Sequence, residues 1–514
     1  MVDNHAVKNW KESLQQFLKP SVIIMLFFGF SAGLPILLIF SSLSLWLREA
    51  GVERSAVTFF SWAALGYSFK FVWAPLVDRL PLPFLHKKLG RRRSWILVAQ
   101  VFVVLGILGM ALTNPTSSSM SLTVMAFATI VLGFSSATQD ISIDAYRIES
   151  DTQEMQALLS STYIAGYRIG MIVAGAGALF LASHFGSTGE HYSYSAWRTT
   201  YFIMAMAMLV GILTTFLAPE PQVQSRAANT NFTTLDYLRF TGLFAVIASI
   251  FAGTFFVSSS LTENLKSQVA AVIGEGLSGF LIESTHFIFA VGMAVTAAIL
   301  LLKVHFVNKQ MVQETYVDPI KDFFDRYGQS VAILLLSLVG LYRISDIVLG
   351  VISNVFYQDM GFTKEQIAGI VKTFGLIMTL LGGFLGGILT VRFGVIRMLW
   401  WGAILSAATN VLFMLLANMG NNVPMLYLVI SADNLSAGLA SAAFVAFLSS
   451  LTNISFTAVQ YAIFTSLMTL LPKVLGGYSG SMVDALGYSH FFLMTALMGL
   501  PVLYLVWLAG KKLT

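Results

Sequence analysis

Cysteine is absent from this chain of 514 residues, and charged residues make up only 11% of it. Without cysteine the chain can form neither disulfide bonds nor cysteine-ligated metal and iron–sulfur sites. A soluble protein is about a quarter charged, whereas 56% of this chain is hydrophobic. The composition therefore indicates a polytopic membrane protein. Its net charge of +5 is better explained by membrane topology than by nucleic-acid binding.

Sequence signatures of enzymes and of nucleotide-driven motors are missing as well. The chain has no H-E-x-x-H, no G-x-S-x-G and no Asp-rich pair of the prenyl-transferase kind, and its histidines show no metal-ligand spacing. The glycine-rich runs at residues 174–177 and 382–387 lie in apolar stretches and lack the Lys-Ser/Thr of a phosphate-binding loop. Close helix crossing explains them better. We therefore expect a protein without enzymatic activity, metal or cofactor.

Runs of about twenty mostly apolar residues, the length of a membrane-spanning helix, predict an all-α protein with fourteen spans. The spans fall near residues 21–47, 56–80, 94–113, 121–146, 157–183, 197–218, 241–259, 285–302, 330–357, 364–390, 395–417, 424–450, 456–476 and 489–510. The first run lacks a cleavage signal, so it is expected to be a retained span rather than a signal peptide. An even number of spans places both termini on one side of the membrane.

Lysine and arginine predict the orientation of these spans. With the N-terminus in the cytoplasm, 20 of the 30 basic residues fall in cytoplasmic segments, five fall outside and five lie within spans. The H-K-K-L-G-R-R-R loop between the second and third spans is the densest basic segment. Both termini are therefore expected in the cytoplasm.

Two sequence echoes predict an internal repeat. W-L-R-E-A-G-V, with Gly51, follows the first span, and F-Y-Q-D-M-G-F, with Gly361, follows the ninth, 310 residues later. The segment from Asp144 aligns with the segment from Val445 at an offset of 301. Such repeats are typical of transporters. We predict a cytoplasmic N-terminal segment (1–20), a six-helix half (21–218), a linker with two extra helices (219–329), a second six-helix half (330–510) and a cytoplasmic tail (511–514).

Loop motifs at matching places in the two halves resemble those of the major facilitator superfamily. A-P-L-V-D-R, with Asp78 and Arg79, leads to G-R-R-R in the first half, and G-G-I-L-T-V-R-F-G-V-I-R stands at the corresponding place in the second. Both resemble the G-x-x-x-D-R-x-G-R-R loop of that superfamily. Residues 196–202 and 484–492 resemble its G-W-x-x-x-F signature before the last span of each half. The resemblance implies two pseudo-symmetric six-helix halves, here with two extra helices between them.

Within that superfamily, several segments resemble the AmpG-type muropeptide permeases. They are residues 29–35 (G-F-S-A-G-L-P), 67–79 (Y-S-F-K-F-V-W-A-P-L-V-D-R), 135–146 (S-S-A-T-Q-D-I-S-I-D-A-Y), 166–171, 371–376, 433–438 and 441–448. The resemblance covers both halves and leaves residues 220–329 outside it. It implies a proton-driven monomer that imports anhydromuropeptides, which are small glycopeptides, across the inner membrane of a Gram-negative bacterium. This import serves peptidoglycan recycling and, in some bacteria, β-lactamase induction.

Nine charged residues lie inside predicted spans, where each costs roughly 2.5–3.5 kcal/mol on insertion scales. They are Lys70, Asp140, Asp144, Arg168, Arg343, Asp346, Lys372, Asp433 and Lys473. So many charges predict a water-filled central cavity or mutual pairing. Lys473 lies near the end of its span and is expected to reach the membrane interface.

Asp140, beside Gln139, is the predicted proton carrier. Apolar surroundings favour a protonated carboxyl and a nearby cation favours an ionised one, so movement between two such environments would couple proton binding to conformation. A structural ion pair between Asp140 and Lys70 is the alternative. At the offset of 301, Asp140 falls opposite Ser441 and Asp144 opposite Val445. Proton coupling is therefore expected in the first half.

Asp144 and Arg147 lie nearer the predicted cytoplasmic end than Asp140. We predict a cytoplasmic gate in which Asp144 pairs with the arginines of the basic loop. The other members of this gate are Asp78, Arg79, Arg91, Arg92 and Arg93. Contact with the substrate is the alternative role for Asp144.

The substrate expected from the resemblance carries peptide carboxylates, which arginine binds bidentately. Substrate or coupling roles are therefore predicted for Lys70, Arg168, Arg343, Asp346, Lys372, Asp433 and Asn434. Tyr67 and Tyr167 are predicted to stack on sugar rings, with packing as the alternative. Arg343 and Asp346, three residues apart, could instead simply neutralise each other.

Alternating access driven by protons is the leading hypothesis. One proton moving down about 100 mV supplies roughly 2.3 kcal/mol, enough for about a fifty-fold substrate gradient. A related carrier of drugs, acetyl-CoA or other peptides is the second hypothesis. A membrane-embedded transferase with Asp140 and Asp144 as metal ligands is a remote third, and it predicts Mg²⁺-dependent turnover without uptake.

Overall fold

The computed structural model describes residues 16–52, 67, 69–187, 191–221, 232–273, 275–304, 306–363, 366–476 and 479–513. Helices and short connections make up these ranges, in which no strand occurs. The chain divides into two compact units, one formed by Met1–Ser225 with Phe323–Thr514 and the other by Arg226–Asp322. The first unit carries both predicted halves, and the second carries most of the predicted linker.

The helices are numbered in chain order. In the first half they are α1 (Pro20–Ile39), α2 (Ser41–Glu49), α3 (Ala74–Arg79), α4 (Leu85–Leu89), α5 (Arg91–Ala111), α6 (Ser119–Ser150), α7 (Gln156–Ile172), α8 (Ala178–His184), α9 (Tyr194–Ala207) and α10 (Leu209–Leu217). The linker contains α11 (Thr234–Ile273), α12 (Glu275–Lys303) and α13 (Lys309–Val312). α14 (Asp318–Leu341) enters the second half, which continues with α15 (Ile344–Asp359), α16 (Gly375–Phe393), α17 (Val395–Met419), α18 (Val423–Leu451), α19 (Thr457–Gly476), α20 (Ser479–Leu497) and α21 (Gly499–Leu513).

Eleven helices within the described ranges are long and apolar enough to cross a membrane. Two of the predicted spans appear as shorter apolar helices, Ile288–Lys303 and Ile454–Thr469. Residues 1–15 of the predicted N-terminal segment and residues 56–66 of the predicted second span lie outside the described residues. The all-helical membrane fold is confirmed, whereas the number of fourteen spans stays a prediction.

The internal repeat is visible in the backbone. Gly51 (φ 78°) follows α2 and Gly361 (φ 82°) follows α15, as the two sequence echoes predict. Gly90 (φ 83°) and Gly394 (φ 87°) precede α5 and α17, 304 residues apart. Glycine adopts this left-handed conformation without strain, which explains why both copies keep it. The 3₁₀ turns Gln153–Met155 and Ile454–Phe456 reproduce the offset of 301.

Each half begins with a broken helix. α1 contains Pro35 and is separated from α2 by Phe40, whose φ and ψ are −95° and −90°. α14 ends at Leu341, and Arg343 (φ −103°, ψ 13°) is the N-cap of α15. Broken helices free backbone groups and are common at the binding sites of transporters. The second break places Arg343 near the middle of the predicted span 330–357.

α1 and α7 cross with their backbones in contact. A Cβ atom added to Gly33 would lie 2.0 Å from the carbonyl oxygen of Tyr167, and one added to Gly166 would lie 1.9 Å from that of Leu26. Only glycine permits such an approach. This crossing fixes the position of the α7 face that carries Tyr163 and Tyr167.

α16 and α18 repeat this arrangement in the second half. A Cβ atom on Gly382 would lie 2.2 Å from the carbonyl oxygen of Leu435, and one on Gly438 would lie 2.3 Å from that of Thr379. The glycine-rich run at residues 382–387 therefore serves close helix crossing, as expected from the sequence.

The unit Arg226–Asp322 contains α11 and α12, which pack against each other. The predicted spans 241–259 and 285–302 imply a loop between them, and this expectation is wrong, because α11 continues to Ile273 and α12 starts at Glu275. Residues 261–273 contain neither proline nor glycine, so nothing in them ends a helix. The 40 residues of α11 span about 60 Å, which is about twice the thickness of the hydrocarbon core.

Candidate functional site

The two aspartates of α6 have different partners. Lys70 Nζ lies 3.5 Å from Asp144 Oδ2, and Arg147 Nη2 lies 3.6 Å from Asp144 Oδ1. Asp140 is buried and, in the described part of the chain, forms no ion pair within 4 Å. Its Oδ1 accepts a hydrogen bond of 3.5 Å from the hydroxyl of Tyr163. Asp140 is therefore a buried carboxyl beside an ion pair rather than a member of one.

The alternative of an Asp140–Lys70 ion pair is wrong in this conformation. Lys70 begins the 3₁₀ turn Lys70–Val72 just before α3, and its ammonium reaches Asp144. That residue lies about 6 Å further along α6 than Asp140, because each residue of a helix adds about 1.5 Å. Sequence reasoning could not set this register, since it depends on where the turn Lys70–Val72 lies relative to α6.

Gln139 links α6 to the kinked helix α1. Its Nε2 donates a hydrogen bond of 3.2 Å to Ser31 Oγ, which in turn donates to the carbonyl oxygen of Phe28. Gln139 is fully buried, and its Oε1 has no hydrogen-bond partner in the described structure. Gln139 therefore positions the helix turn that carries Asp140.

Three tyrosines surround this turn of α6. Tyr67 OH donates a hydrogen bond of 2.6 Å to Ser136 Oγ, which lies one turn before Asp140. The rings of Tyr163 and Tyr167 lie 6.1 Å apart on one face of α7. Tyr163 was missed by sequence reasoning, although its spacing of four residues from Tyr167 places both on the same helix face.

Two arginines from opposite halves lie close enough to repel each other. Arg168 on α7 and Arg343 at the break before α15 interact unfavourably through their charges. Arg168 donates only to Met171 Sδ, at 3.8 Å, and none of the described carboxylates lies within ion-pair distance of it. Arg343 Nε lies 3.9 Å from Asp346 Oδ2, and Ser406 donates a hydrogen bond to Asp346 Oδ1. The pair therefore carries excess positive charge.

The remaining predicted cavity residues fall into different places. Asp433 Oδ1 accepts a hydrogen bond of 3.3 Å from Thr409. Asn434 instead joins α16 to α18, since its Oδ1 accepts from Thr379 at 2.8 Å and its Nδ2 donates to a carbonyl oxygen of its own helix. Lys372 is exposed in the π-helical turn Ile367–Phe374. A water-filled cavity joining these residues stays a prediction.

A buried charge cluster holds the two halves together at one end of the unit, which we call the Arg92 end. Arg92 Nη2 and Nε bind the two carboxylate oxygens of Glu149 at 2.5 and 2.9 Å, and Nη2 also lies 2.7 Å from Asp78 Oδ1. Asp78 accepts hydrogen bonds from the backbone N–H groups of Ala458 and Val459, at 3.1 and 2.9 Å. These are the first N–H groups of α19, where a carboxylate is favoured by the helix dipole.

Arg147 connects this end to the carboxylates of α6. Its Nη1 donates to Ser449 of the second half at 2.9 Å and to Gln156 at 2.9 Å. Its guanidinium lies 5.1 Å from the ring centre of Tyr461. Because Arg147 also pairs with Asp144, a change in the charge of α6 acts directly on a contact between the halves.

The predicted partners of the gate need correction. Asp144 does not pair with Arg91, Arg92 or Arg93, because Glu149, five residues later on α6, occupies that place. Arg91 Nη2 lies 3.4 Å from Glu149, whereas Arg93 donates to the carbonyl oxygens of Thr215 and Phe216 at the end of α10. The guanidinium of Arg79 lies 5.8 Å from the ring centre of Phe456. The residues named for the gate do meet here, but Glu149 is the acid that sequence reasoning left out.

Solved structures similar to this one identify the fold. The proton:xylose symporter XylE matches with a TM-score of 0.56 and 13% identity, over 97% of this chain and 96% of its own. FucP, a major facilitator superfamily transporter in the outward conformation, matches with a TM-score of 0.58 and 12% identity, over 96% of this chain and 99% of its own. The chain therefore has the fold of the major facilitator superfamily.

Curated relatives narrow the family. The putative transporter AmpG 4 of Rickettsia felis is 32% identical over 94% of this chain and 95% of its own length. The anhydromuropeptide permease of Escherichia coli K12 is 27% identical over 97% of this chain and 82% of its own. A family model described as acetyl-coenzyme A transporter 1 matches residues 21–218. The chain belongs to the AmpG-type permeases of the major facilitator superfamily, and its likeness to them runs across the linker that the sequence segments had left out.

Proposed function

We propose that the protein is a proton-coupled symporter that imports anhydromuropeptides into the cytoplasm by alternating access. The family membership supports a permease for this class of glycopeptide, since a relative that matches almost the whole chain carries that name. Peptidoglycan recycling would be the use of this import, with β-lactamase induction as a consequence in bacteria that have that response. Its place would be a bacterial inner membrane, with both termini in the cytoplasm.

The observation that carries the substrate class is the pair Arg168 and Arg343. Two half-buried guanidinium groups that repel each other, with Asp346 as their nearby acid, favour binding of a further anion between them. A peptide stem supplies carboxylates for bidentate contact with such groups. Since one arginine belongs to each half, a bound carboxylate would draw the halves together around the substrate.

Proton coupling is assigned to Asp140. Its carboxyl is buried, lies outside an ion pair and is one helix turn from Asp144, which is shared by Lys70 and Arg147. A proton on Asp140 removes its attraction for Lys70, which strengthens the hold of Asp144 on that ammonium. Because Asp144 also contacts Arg147, protonation is transmitted to the contact with Ser449 in the second half.

The closed Arg92 end supports the proposed direction of transport. The positive-inside distribution of lysine and arginine supports a cytoplasmic position for this end. A transporter closed there is ready to accept substrate from the opposite side, which is the periplasm in a Gram-negative cell. Loss of the contacts of Asp78 and Arg92 would then open the path inward.

Acetyl-CoA is the second candidate substrate, and the family model that matches residues 21–218 favours it. Its phosphates and the carboxylates of a peptide stem would both suit the arginine pair. An identity of 32% with an AmpG-type relative along nearly the full chain favours the glycopeptide, because the model for the acetyl-CoA carrier covers the first half alone.

The deciding experiment is uptake of radiolabelled anhydromuropeptide into sealed vesicles with and without a pH gradient. We expect uptake to follow the gradient in the wild type and to become independent of it in Asp140→Asn. The control variant is Asp325→Asn, which removes an exposed carboxyl from α14 and should behave as wild type. Gradient-driven uptake by Asp140→Asn would contradict the role of Asp140. Competition by acetyl-CoA but not by unlabelled muropeptide would indicate that acetyl-CoA, and not the glycopeptide, is the substrate. Turnover that needs Mg²⁺ without uptake would support the transferase instead.

A further inference from the structure

The two halves differ in how the equivalent helices α5 and α17 begin. In the first half, Glu220 accepts hydrogen bonds from the backbone N–H groups of Arg92 and Arg93, at 2.8 and 3.1 Å. Its carboxylate lies against the turn, since a Cβ atom on Gly90 would be 2.4 Å from Glu220 Cδ. An internal carboxylate thus satisfies the positive N-terminus of α5.

The equivalent position in the second half is open. α17 begins after Gly394, which like Gly90 has a positive φ, and no described side chain accepts a hydrogen bond from its first N–H groups. A Cβ atom on Gly394 would meet nothing within 4 Å. The first turn of α17 instead borders a cavity of about 390 Å³, lined by Ile396 and Arg397 and, across it, by α21.

This cavity is cationic and aromatic. Arg397 and Lys511 provide its charges, and none of the described residues that line it carries a carboxylate. Its other walls include Trp400, Trp401 and Trp507, and Lys511 Nζ lies 5.7 Å from the ring centre of Trp507. Two cations and an uncapped helix N-terminus together favour an anion at the place that Glu220 fills in the first half.

The tryptophans indicate the kind of molecule to which that anionic group belongs. Trp401 and Trp507 are 53% and 54% exposed, and Trp400 is 40% exposed. Tryptophan is enriched at the level of the lipid headgroups, and basic pockets between helices on the cytoplasmic side bind anionic headgroups. A free phosphate ion would leave these rings uncovered, whereas a phospholipid would place its phosphate on the cations and its acyl chains along the rings.

We propose that the cavity between α17 and α21 binds the phosphodiester headgroup of an anionic phospholipid, which completes in the second half the contact that Glu220 makes in the first. The lipid would hold the end of α21 to the start of α17, as Glu220 holds the segment after α10 to α5. This site is separate from the polar residues of α6 and α7, so it does not depend on the substrate that the protein carries.

Native mass spectrometry of the full chain in detergent tests the proposal, with dioleoyl phosphatidylglycerol and phosphatidylcholine as probes. We expect the wild type to retain phosphatidylglycerol selectively. Removal of either cation by Arg397→Gln or Lys511→Gln should weaken retention about fivefold, and removal of both about 25-fold, if each contributes as basic residues do near anionic membranes. Lys512→Gln removes a neighbouring charge that does not line the cavity, and its retention should stay within about twofold of wild type.

Three results would overturn the proposal. Equal retention of the two lipids would show that the cavity does not recognise the anionic headgroup. A loss of retention in Lys512→Gln equal to that in Lys511→Gln would show that general surface charge attracts the lipid. Displacement of phosphatidylglycerol by millimolar inorganic phosphate would make this a site for a free anion. Unfolding temperatures measured without added lipid verify that each variant is folded, and if the double variant is not, the two single variants decide.

Discussion

The carboxylate of Asp78 accepts a hydrogen bond from the backbone N–H of Val459, 381 residues away in the chain and in the opposite half of the molecule. Arg92 pairs with the same carboxylate from within the first half. A single side chain therefore couples the buried charges of one half to the helix N-terminus of the other. Separation of the halves at this end must expose Asp78 and its partner N–H groups.

Asp78→Asn should open the Arg92 end. The variant replaces charge-assisted hydrogen bonds, worth about 1.5–3 kcal/mol, with weaker neutral ones. Because the chain contains no cysteine, Ser450→Cys provides a single reporter in the second half, where the carbonyl oxygen of Ser450 accepts a hydrogen bond from Gln153 of the first half. Its maleimide labelling should become about tenfold faster, as a change of about 1.4 kcal/mol implies. Arg93→Gln is the control, since the hydrogen bonds of Arg93 in the described structure stay within the first unit's N-terminal segments, to Thr215, Phe216 and Glu220. Equal labelling rates in wild type and Asp78→Asn would show that Asp78 does not hold this end closed.

Asp144→Asn should reduce stability more than Asp140→Asn. Removal of the Asp144 charge leaves Lys70 and Arg147 as buried cations, and loss of one partner of a buried pair costs about 3–5 kcal/mol. Asp140 forms no ion pair with a described residue, so its amide replacement should be tolerated. Thermal unfolding followed by size-exclusion fluorescence measures both variants. If Asp140→Asn unfolded at a lower temperature than Asp144→Asn, Asp140 and not Asp144 would be the carboxylate that stabilises the fold.

Arg168→Gln and Arg343→Gln should each weaken substrate binding. Loss of one bidentate contact with a carboxylate removes a charged hydrogen bond worth about 1.5–3 kcal/mol, so KM for a muropeptide should rise about ten- to one-hundredfold. Lysine at either position should restore the binding only partly, because an ammonium lacks the planar fork. Arg198→Gln, which changes an exposed arginine of α9, is the control. An unchanged KM in both variants would place the peptide carboxylates elsewhere.

Gly166→Ala should destabilise the first half, whereas Gly350→Ala should not. A methyl group on Gly166 would lie 1.9 Å from the carbonyl oxygen of Leu26, while one on Gly350 would meet nothing within 4 Å. Overpacking of this kind costs about 1–3 kcal/mol, and alanine in place of an unhindered helical glycine gains about 0.5–1 kcal/mol. Unfolding temperatures in one detergent compare the two. Equal unfolding temperatures for the two variants would mean that α1 and α7 can move apart at little cost in free energy.

Much of the fold could be predicted from the sequence, because helical spans, repeats and loop motifs are local patterns. Gly51 and Gly361 marked the repeat, and the loop from Asp78 to Arg93 marked the Arg92 end. Pairing across helices could not be predicted in the same way. Whether Lys70 meets Asp140 or Asp144 depends on one helix turn, and whether Asp144 or Glu149 meets Arg92 depends on five residues of register.

Two other features escaped prediction for different reasons. The length of α11 was missed because the polar residues after the predicted span 241–259 suggested that the helix ends there, although residues 261–273 contain neither proline nor glycine. Glu220 follows α10 in an apparent linker, and its contact with the first turn of α5 joins segments more than a hundred residues apart. Neither feature is marked by a short sequence motif.

The glycine crossings also limit how this transporter can move. Helices that touch through interlocking side chains can slide when those side chains change rotamer. α1 and α7 touch through peptide groups, as do α16 and α18, and peptide groups have no rotamers to change. Shear within a half is therefore blocked at its centre. The motion that remains is the rocking of two rigid blocks, with bending left to the segments around Phe40 and Arg343 where the first helix of each block is already interrupted.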